Sequence, residues 1–196
     1  MNLVPWPRSG YDAGMWPLET LIVAGMRRRV LSGISGTILE LGAGTGANLR
    51  FYGPSCRVVA LEPDRRRLQA ALRRRVSCTL VPVQASADRL PFRNDTFASV
   101  VASLLFCCLP EPLMALEEVR RVLTPGGTLL LVEHTRGDRG PGRLATRTLS
   151  GPWLRLSGGC HLDRDTVATV REAGLQVIET SSRLCGIFRT IVARRV

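Results

Sequence analysis

A glycine-rich turn with a carboxylate on either side is the part of this sequence best suited to chemistry. Gly42, Gly44 and Gly46 follow an apolar run, Glu40 lies two residues before them, and Glu62 closes the next apolar run. Glycine leaves no Cβ in the way of a ligand that approaches the backbone closely. The two carboxylates could accept hydrogen bonds from an ammonium group and from hydroxyl groups of such a ligand. The pattern therefore predicts a small-molecule site at this turn.

The spacing of the glycines separates two classes of ligand. A dinucleotide site has the pattern Gly-x-Gly-x-x-Gly and directs a helix N-terminus at a pyrophosphate, whereas the third glycine here comes one residue earlier. S-adenosylmethionine (SAM) has no pyrophosphate but carries a free ammonium, which Glu40 could bind directly or through water. Glu62 is placed to accept hydrogen bonds from both ribose hydroxyls. The sequence thus predicts a SAM site, and the alternative is a tight turn that binds no ligand.

Further residues along the chain extend the predicted SAM site. Asp88 lies in the loop after the third predicted strand, where its carboxylate could accept a hydrogen bond from the adenine amino group; a loop-capping role is the alternative. The predicted cofactor-binding residues are Glu40, Gly42, Ala43, Gly44, Gly46, Asn48, Glu62, Pro63, Ala87, Asp88 and Ser103.

Three side chains are candidates for the reaction itself. Methyl transfer from a sulfonium is an in-line displacement, and an acceptor thiol, hydroxyl or amine must also lose a proton. His134, which follows the fifth predicted strand, is the predicted base, with a loop-capping histidine as the alternative. Cys107, at the end of the fourth predicted strand, would lie beside the transferred methyl, and simple burial is its alternative. Tyr11 is predicted to cover the cofactor from an N-terminal lid.

The six cysteines contain no Cys-x-x-Cys pair, and no secretory signal is evident. We therefore expect reduced thiols in a cytoplasmic protein. Cys107, Cys108, Cys160 and His161 could in principle meet around zinc or a soft metalloid. Because the chain lacks closely spaced ligand pairs, however, the sequence predicts no metal site.

Alternating strands and helices are predicted to position these residues. The predicted strands are Thr37–Leu41, Arg57–Glu62, Thr79–Gln84, Ala98–Phe106, Thr128–Glu133, Leu175–Ser181 and Phe188–Arg194. The predicted helices are Trp16–Leu31, Ala47–Tyr52, Asp64–Arg75, Glu111–Leu123 and Asp163–Ala173. Residues 135–160 are expected to form a loop with room for one short helix. The alternation predicts an α/β, Rossmann-like fold with a single doubly wound, seven-stranded and mostly parallel sheet.

The chain divides into two predicted parts. Residues 37–196 are predicted to form the SAM-binding domain, and residues 1–36 an N-terminal helical lid. Trp6 and Trp16 of the lid, together with Trp153, could wall an apolar acceptor pocket, or could only anchor helices to the core.

The net charge of +11 arises from 27 arginines, since the chain has no lysine. Such a balance can indicate nucleic acid, an anionic membrane surface or an acidic substrate, or only a GC-rich coding sequence. Three arginine clusters, at residues 27–29, 65–67 and 73–75, contain none of the aromatic residues that stack on bases. The longest apolar runs are too short to span a bilayer. These features predict a cytoplasmic protein and leave peripheral contact with anionic membranes open.

The run from Thr37 to Glu133 resembles the class I SAM-dependent methyltransferases of the ubiquinone/menaquinone-biosynthesis type. The resemblance is carried by Glu40–Gly46, Leu61-Glu62-Pro63, Asp88 with Leu90-Pro91-Phe92, Asp95-Thr96-Phe97, and the run 118–127 that ends in Thr124-Pro125-Gly126-Gly127. It implies the SAM-binding fold and methyl transfer from SAM, without specifying the acceptor. The chain departs from the family at Ala98, where an Asp of structural function is usual.

A narrower resemblance is to methyltransferase-like enzymes that methylate alkyl thiols. It is carried by Cys107 within residues 105–108, Glu133-His134, Pro152-Trp153, Gly159-Cys160-His161-Leu162 and Arg164. The hydrophobic N-terminal anchor of those enzymes is not evident in this sequence. Bacterial phospholipid N-methyltransferases share many of the same sequence motifs. The resemblance implies a small-molecule acceptor at sulfur, nitrogen or oxygen, with an apolar thiol as one possibility.

Two other functions are compatible with the same sequence features: a peripheral phospholipid N-methyltransferase and a non-catalytic SAM-binding interaction protein. Methylation of nucleic-acid bases is disfavoured, because the place of the Asn/Asp-Pro-Pro-aromatic turn after the fourth strand reads Cys107-Cys108-Leu109-Pro110. The Pro-Cys nucleophile of cytosine C5 enzymes is also missing. A small molecule or a lipid is therefore the expected partner.

Overall fold

The computed structural model describes residues 22–138, 140–157 and 159–196, and these residues form one seven-stranded sheet. The strands are β1 (Gly36–Leu41), β2 (Cys56–Leu61), β3 (Thr79–Val83), β4 (Phe97–Ser103), β5 (Leu123–His134), β6 (Leu175–Arg183) and β7 (Phe188–Arg195). The helices are α1 (Ala24–Leu31), α2 (Arg65–Leu72), α3 (Pro112–Val122), α4 (Gly140–Ser157) and α5 (Thr166–Glu172), with a 3-10 turn at Leu49–Phe51.

The strand order is β3-β2-β1-β4-β5-β7-β6. Strands β1 to β5 pair in parallel, whereas β7 is antiparallel to both of its neighbours, β5 and β6. The predicted α/β fold with a mostly parallel sheet is thus confirmed. The direction in which the strands are added reverses between β1 and β4, and open α/β sheets bind their ligands at such a reversal, beyond the carboxyl ends of the strands.

The inner strands are apolar because helices cover both faces of the sheet. Residues 38–41 of β1 and 58–61 of β2 are buried without alternation, as expected for parallel strands between two helical layers. On one face the strands pack against α3 and α5, and on the other against α1 and the turn at Leu49–Phe51. This continuous core holds the carboxyl ends of β1, β2 and β4 at one edge.

The end of the fourth predicted strand differs from the structure at the edge where ligands bind. Strand β4 ends at Ser103, three residues earlier than predicted, and Leu104 has a positive φ of 55°. A positive φ is rare for a residue with a side chain and turns the chain out of the strand. Cys107 and Cys108 consequently lie in the loop after β4, which we call the β4 loop (residues 104–111), rather than at the end of the strand.

The prediction for residues 135–160 was wrong, because most of this segment is the 18-residue helix α4. Its glycines and Pro152 obscured the helical pattern, although Pro141 lies in the first turn, where proline is well tolerated. The predicted helix 47–52 is shorter in the structure and is only a 3-10 turn. In the described part of the chain, no helix has both the length and the apolar character needed to cross a membrane.

The N-terminal lid lies largely outside the described residues, and with it Tyr11, Trp6 and Trp16. Its described end packs on the sheet: Val23 and Met26 are buried against Val132 of β5 and Phe188 of β7. Helix α1 therefore lies against β5, the strand that ends at His134, and against its neighbour β7.

Candidate active site

The glycine-rich turn after β1 is packed closely against its surroundings. Gly42 and Gly46 have positive φ values of 60° and 83°. A Cβ on Gly42 would lie 2.8 Å from a methyl of Leu105 in the β4 loop, and one on Gly46 would lie 2.7 Å from a methyl of Leu49. Both glycines are therefore required by conformation and by space. The contact with Leu105 joins the glycine turn to the β4 loop, at the reversal of strand order.

The carboxylate of Glu62 ties the end of β2 to the glycine turn. Its Oε2 accepts a hydrogen bond of 2.9 Å from the amide of Gly44, and its Oε1 accepts one of 3.1 Å from the amide of Asp64. The residue is 5% exposed. Since each carboxylate oxygen has two lone pairs, both oxygens keep the capacity to accept a further hydrogen bond from a ribose hydroxyl.

Glu40 is a buried carboxylate with an unused oxygen. It is 1% exposed, and among the described residues its Oε2 has no hydrogen-bond partner. Burial raises the pKa of Glu40 to about 7, while Tyr52, Arg27 and Asn48 act in the opposite direction. A buried acceptor without a partner is costly, so this oxygen suits a ligand ammonium or a bridging water.

The other predicted cofactor-binding residues differ in how deeply they are buried around this turn. Asn48 is buried and donates a 3.1 Å hydrogen bond from Nδ2 to Oγ of Ser103, which joins the glycine turn to the end of β4. Ala43 is buried and its amide bonds to the carbonyl of Leu61 at 3.0 Å. Ala87 is buried as well, whereas Pro63 and Asp88 are exposed. These two exposed residues lie on the loops after β2 and β3.

An ion pair on α3 holds the loop that follows Asp88. Arg121 donates to both oxygens of Glu118 at 2.7 and 2.8 Å and to the carbonyls of Leu90 and Phe92. Glu118 in turn accepts a hydrogen bond of 2.8 Å from the Leu90 amide. The hydrogen bonds from Arg121 keep the pKa of Glu118 below its usual range. The pair thus has a structural role that the sequence pattern alone did not assign.

A cluster of three thiols and one imidazole lies beyond the ends of β4 and β5. We call Cys107, Cys108, Cys160 and His134 the thiol–imidazole cluster. The three Sγ atoms all lie within 4.8 Å of one another, with Cys107 and Cys108 at 3.7 Å. His134 Nδ1 lies 3.2 Å from Sγ of Cys160 and 3.9 Å from Sγ of Cys107. All are buried except Cys108, which is exposed.

The cluster changes the acidity of its thiols. The thiols of Cys107 and Cys108, and to a smaller extent His134, lower the pKa of Cys160 because they stabilise its thiolate by hydrogen bonding. The same contacts, with burial, raise the pKa of Cys107 well above its usual range. Cys160 is therefore the thiol of the cluster that ionises most readily.

His161, which the sequence analysis grouped with the cysteines, reaches this region through its backbone. Its amide donates a 2.8 Å hydrogen bond to the carbonyl of Cys107. The imidazole beside the thiols belongs instead to His134, the last residue of β5. The ring of His134 also packs against Phe188, at 4.6 Å between centroids, and edge-on to Trp153 at 6.2 Å.

Glu133 is a buried carboxylate that positions the β4 loop, a role that the sequence pattern alone did not predict. Its Oε1 accepts hydrogen bonds from the amides of Leu105 and Phe106 at 2.9 and 3.0 Å, and its Oε2 accepts one from the amide of Cys107 at 3.1 Å. It is fully buried, and burial raises its pKa despite these bonds. A charged residue at the end of an otherwise apolar strand was the only signal in the sequence.

Arg164 supports the β4 loop from the other side. Its guanidinium donates to the carbonyls of Phe106 and Leu109. The amides of the β4 loop are thus held by a buried carboxylate and its carbonyls by an arginine. This loop carries both Cys107 and the Leu105 side chain that packs on Gly42.

Comparison with known proteins places the chain in a family. A family model described as a methyltransferase domain matches residues 39–131. The human thiol S-methyltransferase TMT1B is 34% identical over 157 residues, covering 76% of this chain and 64% of that protein. The phosphatidylethanolamine N-methyltransferase of Cereibacter sphaeroides is 30% identical over 160 residues, covering 78% of each. The chain belongs to the class I SAM-dependent methyltransferases.

Solved structures agree in fold. A SAM-dependent methyltransferase from Thermotoga maritima superposes with a TM-score of 0.70 at 19% identity, covering 94% of this chain and 95% of that one. The chain spans only 64% of the human thiol methyltransferase. Membership of the family implies SAM as the cofactor, and the unused Glu40 oxygen and the open space beside Gly44 fit that group.

Proposed function

We propose that this chain transfers the methyl group of SAM to the sulfur of a small apolar thiol. The observation that carries the proposal is the 34% identity to a thiol S-methyltransferase over 76% of the chain. The apolar surroundings of the predicted acceptor side support it, since Leu104, Trp153 and Leu162 pack around the buried Cys107 and Cys160. Such a lining favours an apolar acceptor over a charged one.

Cofactor binding is assigned to the loops after β1, β2 and β3. In the proposal Glu40 receives the ammonium, Glu62 the ribose hydroxyls and Asp88 the adenine amino group. Gly42 and Gly46 shape the turn, since Leu105 and Leu49 fill the space of their missing Cβ atoms, whereas Gly44 is open and lets the cofactor approach the backbone closely. When bound, SAM supplies a methyl group on a sulfonium, the electrophile of the reaction. The protein's part is to hold the acceptor sulfur in line with that methyl.

Deprotonation of the acceptor is assigned to the carboxyl end of β5. A thiol ionises close to neutral pH and needs less help than an alcohol. His134 is the candidate base, and Cys107 is proposed to lie beside the acceptor. Tyr11, which is outside the described residues, is proposed to cover the cofactor. Because Nδ1 of His134 faces Cys160 and Cys107, a base role requires the other ring nitrogen to face the acceptor.

The proposal is tested by calorimetry with SAM, followed by a methyl-transfer screen with labelled SAM across alkyl thiols, quinols, amines and phospholipids. We expect SAM binding and S-methylation of apolar thiols. Glu62→Ala should weaken SAM binding at least about tenfold, because it removes hydrogen bonds to a charged group. Glu172→Ala, at an exposed position on α5, is the matched control. Absence of SAM binding by the wild-type chain would overturn the proposal.

A phospholipid acceptor is the second candidate, and a feature of α4 favours it besides the Cereibacter relative. This helix has three exposed leucines, Leu144, Leu149 and Leu156, at 63%, 55% and 68% exposure. It also has three exposed arginines and no acidic residue. Exposed apolar and basic side chains on one helix are suited to the interface of an anionic membrane.

Sedimentation with vesicles of phosphatidylglycerol and phosphatidylcholine separates the two candidates. Binding that weakens with salt, and that is lost when the three leucines are replaced by serine, supports the lipid acceptor. Replacement of Ile178 and Leu184, exposed elsewhere at 50% and 47%, is the control. No binding, together with turnover of a thiol, supports the thiol acceptor. Tight SAM binding without turnover of any acceptor would favour a non-catalytic SAM-binding protein.

A further inference from the structure

The thiol–imidazole cluster draws its members from three separate segments of the chain. Cys107 and Cys108 lie on the β4 loop, His134 ends β5, and Cys160 follows α4. Cys160 and His134 are 26 residues apart in the sequence, yet Sγ and Nδ1 lie 3.2 Å apart. Simple burial of cysteine as a small apolar residue does not require three sulfurs to lie within 4.8 Å of one another with an imidazole nitrogen beside two of them.

Three of the distances in the cluster are close to the edges of a tetrahedral metal site. Zinc binds sulfur at about 2.3 Å and nitrogen at about 2.0 Å, which places two sulfurs about 3.8 Å apart and a sulfur and a nitrogen about 3.5 Å apart. Here the Cys107 and Cys108 sulfurs are 3.7 Å apart, and His134 Nδ1 lies 3.9 and 3.2 Å from the sulfurs of Cys107 and Cys160. The remaining sulfur–sulfur distances are below 4.8 Å.

The donor set selects a class of ion. Three thiolates with one imidazole form a Cys₃His set, which is soft and prefers zinc to magnesium or calcium. The carboxylate of Glu133 accepts hydrogen bonds from the amide of Cys107 and from the amides of the two preceding residues. Its coordination to a metal would disturb the hydrogen bonds that hold the β4 loop, so sulfur and nitrogen are the donors of the proposed site.

We propose that Cys107, Cys108, Cys160 and His134 bind one zinc ion. Binding replaces thiol protons by the metal, so that up to three protons leave as the thiolates coordinate. The resulting site carries one net negative charge, because three thiolates outweigh the two charges of the ion. Arg164, whose guanidinium donates to the carbonyls of Phe106 and Leu109 on the same loop, is the cation proposed to offset that charge.

The ion would have a definite place in the architecture. It would join the β4 loop to the end of β5 and to the segment after α4. The β4 loop also packs on the glycine turn through Leu105. Zinc bound here would therefore help to hold the β4 loop against the glycine turn. This structural role does not depend on which acceptor the protein methylates.

The test uses the full chain, purified under reducing conditions and freed of metal with a chelator. Titration with cobalt(II), as a coloured substitute for zinc, should give the intense visible absorption of a tetrahedral cobalt thiolate at one ion per chain. Added zinc should then abolish that absorption. Elemental analysis after zinc loading and gel filtration should also give one zinc per chain.

Single variants assign the ligands. Removing a residue that only hydrogen-bonds to a metal ligand typically weakens metal binding roughly 10- to 100-fold. Cys160→Ser and His134→Ala each remove a proposed ligand itself, so each should weaken zinc binding by more than that. Cys108→Ser changes an exposed residue and is the variant least disruptive to folding. Cys185→Ser, at an exposed thiol outside the cluster, should bind zinc as the wild type does. Circular dichroism shows that each variant is folded.

Three results would overturn the proposal. The first is the absence of tetrahedral cobalt absorption in the folded, reduced chain. The second is zinc binding that is unchanged in folded Cys108→Ser and Cys160→Ser. The third is equal loss of binding in the Cys185→Ser control. None of these measurements depends on methyl transfer. Zinc on Nδ1 would leave the proton on the other ring nitrogen of His134, so zinc binding excludes the base role proposed for His134. Transfer to a thiol does not depend on that role, because a thiol ionises close to neutral pH without a base.

Discussion

The amide of Cys107 donates a hydrogen bond of 3.1 Å to the buried carboxylate of Glu133. The other oxygen of Glu133 accepts from the amides of Leu105 and Phe106, so one side chain at the end of β5 satisfies three consecutive amides. A buried charge is stable only when such donors compensate it. The position of the β4 loop therefore depends on a residue of the neighbouring strand.

Replacement of Glu133 by glutamine should destabilise the protein and disturb the β4 loop. The amide NH₂ group of glutamine would face a backbone N–H donor, and hydrogen bonds to a charged group would be lost. We expect a loss of about 1.5–3 kcal/mol in the free energy of unfolding, measured by urea denaturation. Glu172→Gln, at an exposed position on α5, should change it little. Equal midpoints for the two variants would contradict this assignment.

SAM affinity should rise with pH because Glu40 must ionise to receive the ammonium. Burial raises the folded-state pKa of Glu40 from 4.5 to about 7. Below that value the carboxyl is mostly protonated, and above it the carboxylate is formed, so affinity should increase between about pH 6 and pH 8. Calorimetry in buffers of different ionisation enthalpy should detect release of a proton on binding.

Glu40→Gln is the control for this pH dependence. It should weaken SAM binding and flatten the pH profile over the same range. Tyr52 and Arg27, the ionisable groups that act on Glu40, keep their charge states in this interval, because their usual pKa values lie well above it. A profile in Glu40→Gln that is as steep as in the wild type would assign the pH dependence to another group.

The ion pair of Glu118 and Arg121 should stabilise the fold at neutral pH and lose its effect in acid. Arg121 lowers the folded-state pKa of Glu118, so its contribution is fully present above the unfolded value near 4.5 and is lost as the pH falls through the folded value. A double-mutant cycle with Glu118→Gln and Arg121→Ala should give a coupling of roughly 0.5–1 kcal/mol at pH 7. A coupling that persists unchanged at pH 3 would contradict the assignment.

Two glycine-to-alanine changes should act in opposite directions. Gly46 has a positive φ, and a Cβ there would lie 2.7 Å from Leu49, so Gly46→Ala should destabilise the protein and weaken SAM binding. Gly25 lies in α1 with open space around its Cα, so Gly25→Ala should stabilise the protein by about 0.5–1 kcal/mol. Thermal unfolding with and without SAM measures both. Equal shifts in the same direction would refute the conformational argument.

The sequence predicted the order of strands and helices well where the signal is local. Apolar runs, such as those of β1 and β2, and the stops that follow them depend on neighbouring residues, so the fold and the cofactor turn could be read from the chain itself. Helix α4 was missed because its glycines and Pro152 are common in loops. A contact from outside the helix fixes its first turns, where the amide of Gly137 donates to Oγ1 of the buried Thr146, and such context can outweigh local preference.

The sequence by itself determined the methyl-donor side. The three glycines, Glu40 and Glu62 lie within 23 residues, in or directly after two adjacent strands. Only the tertiary structure decided which residues meet beyond the ends of β4 and β5. It placed the imidazole of His134, and not that of His161, beside the sulfurs of Cys107 and Cys160, and it placed Glu133 against the amides of the β4 loop. The reason is physical. Those contacts join segments 26 residues or more apart, and the packing of the sheet, rather than sequence spacing, brings them together.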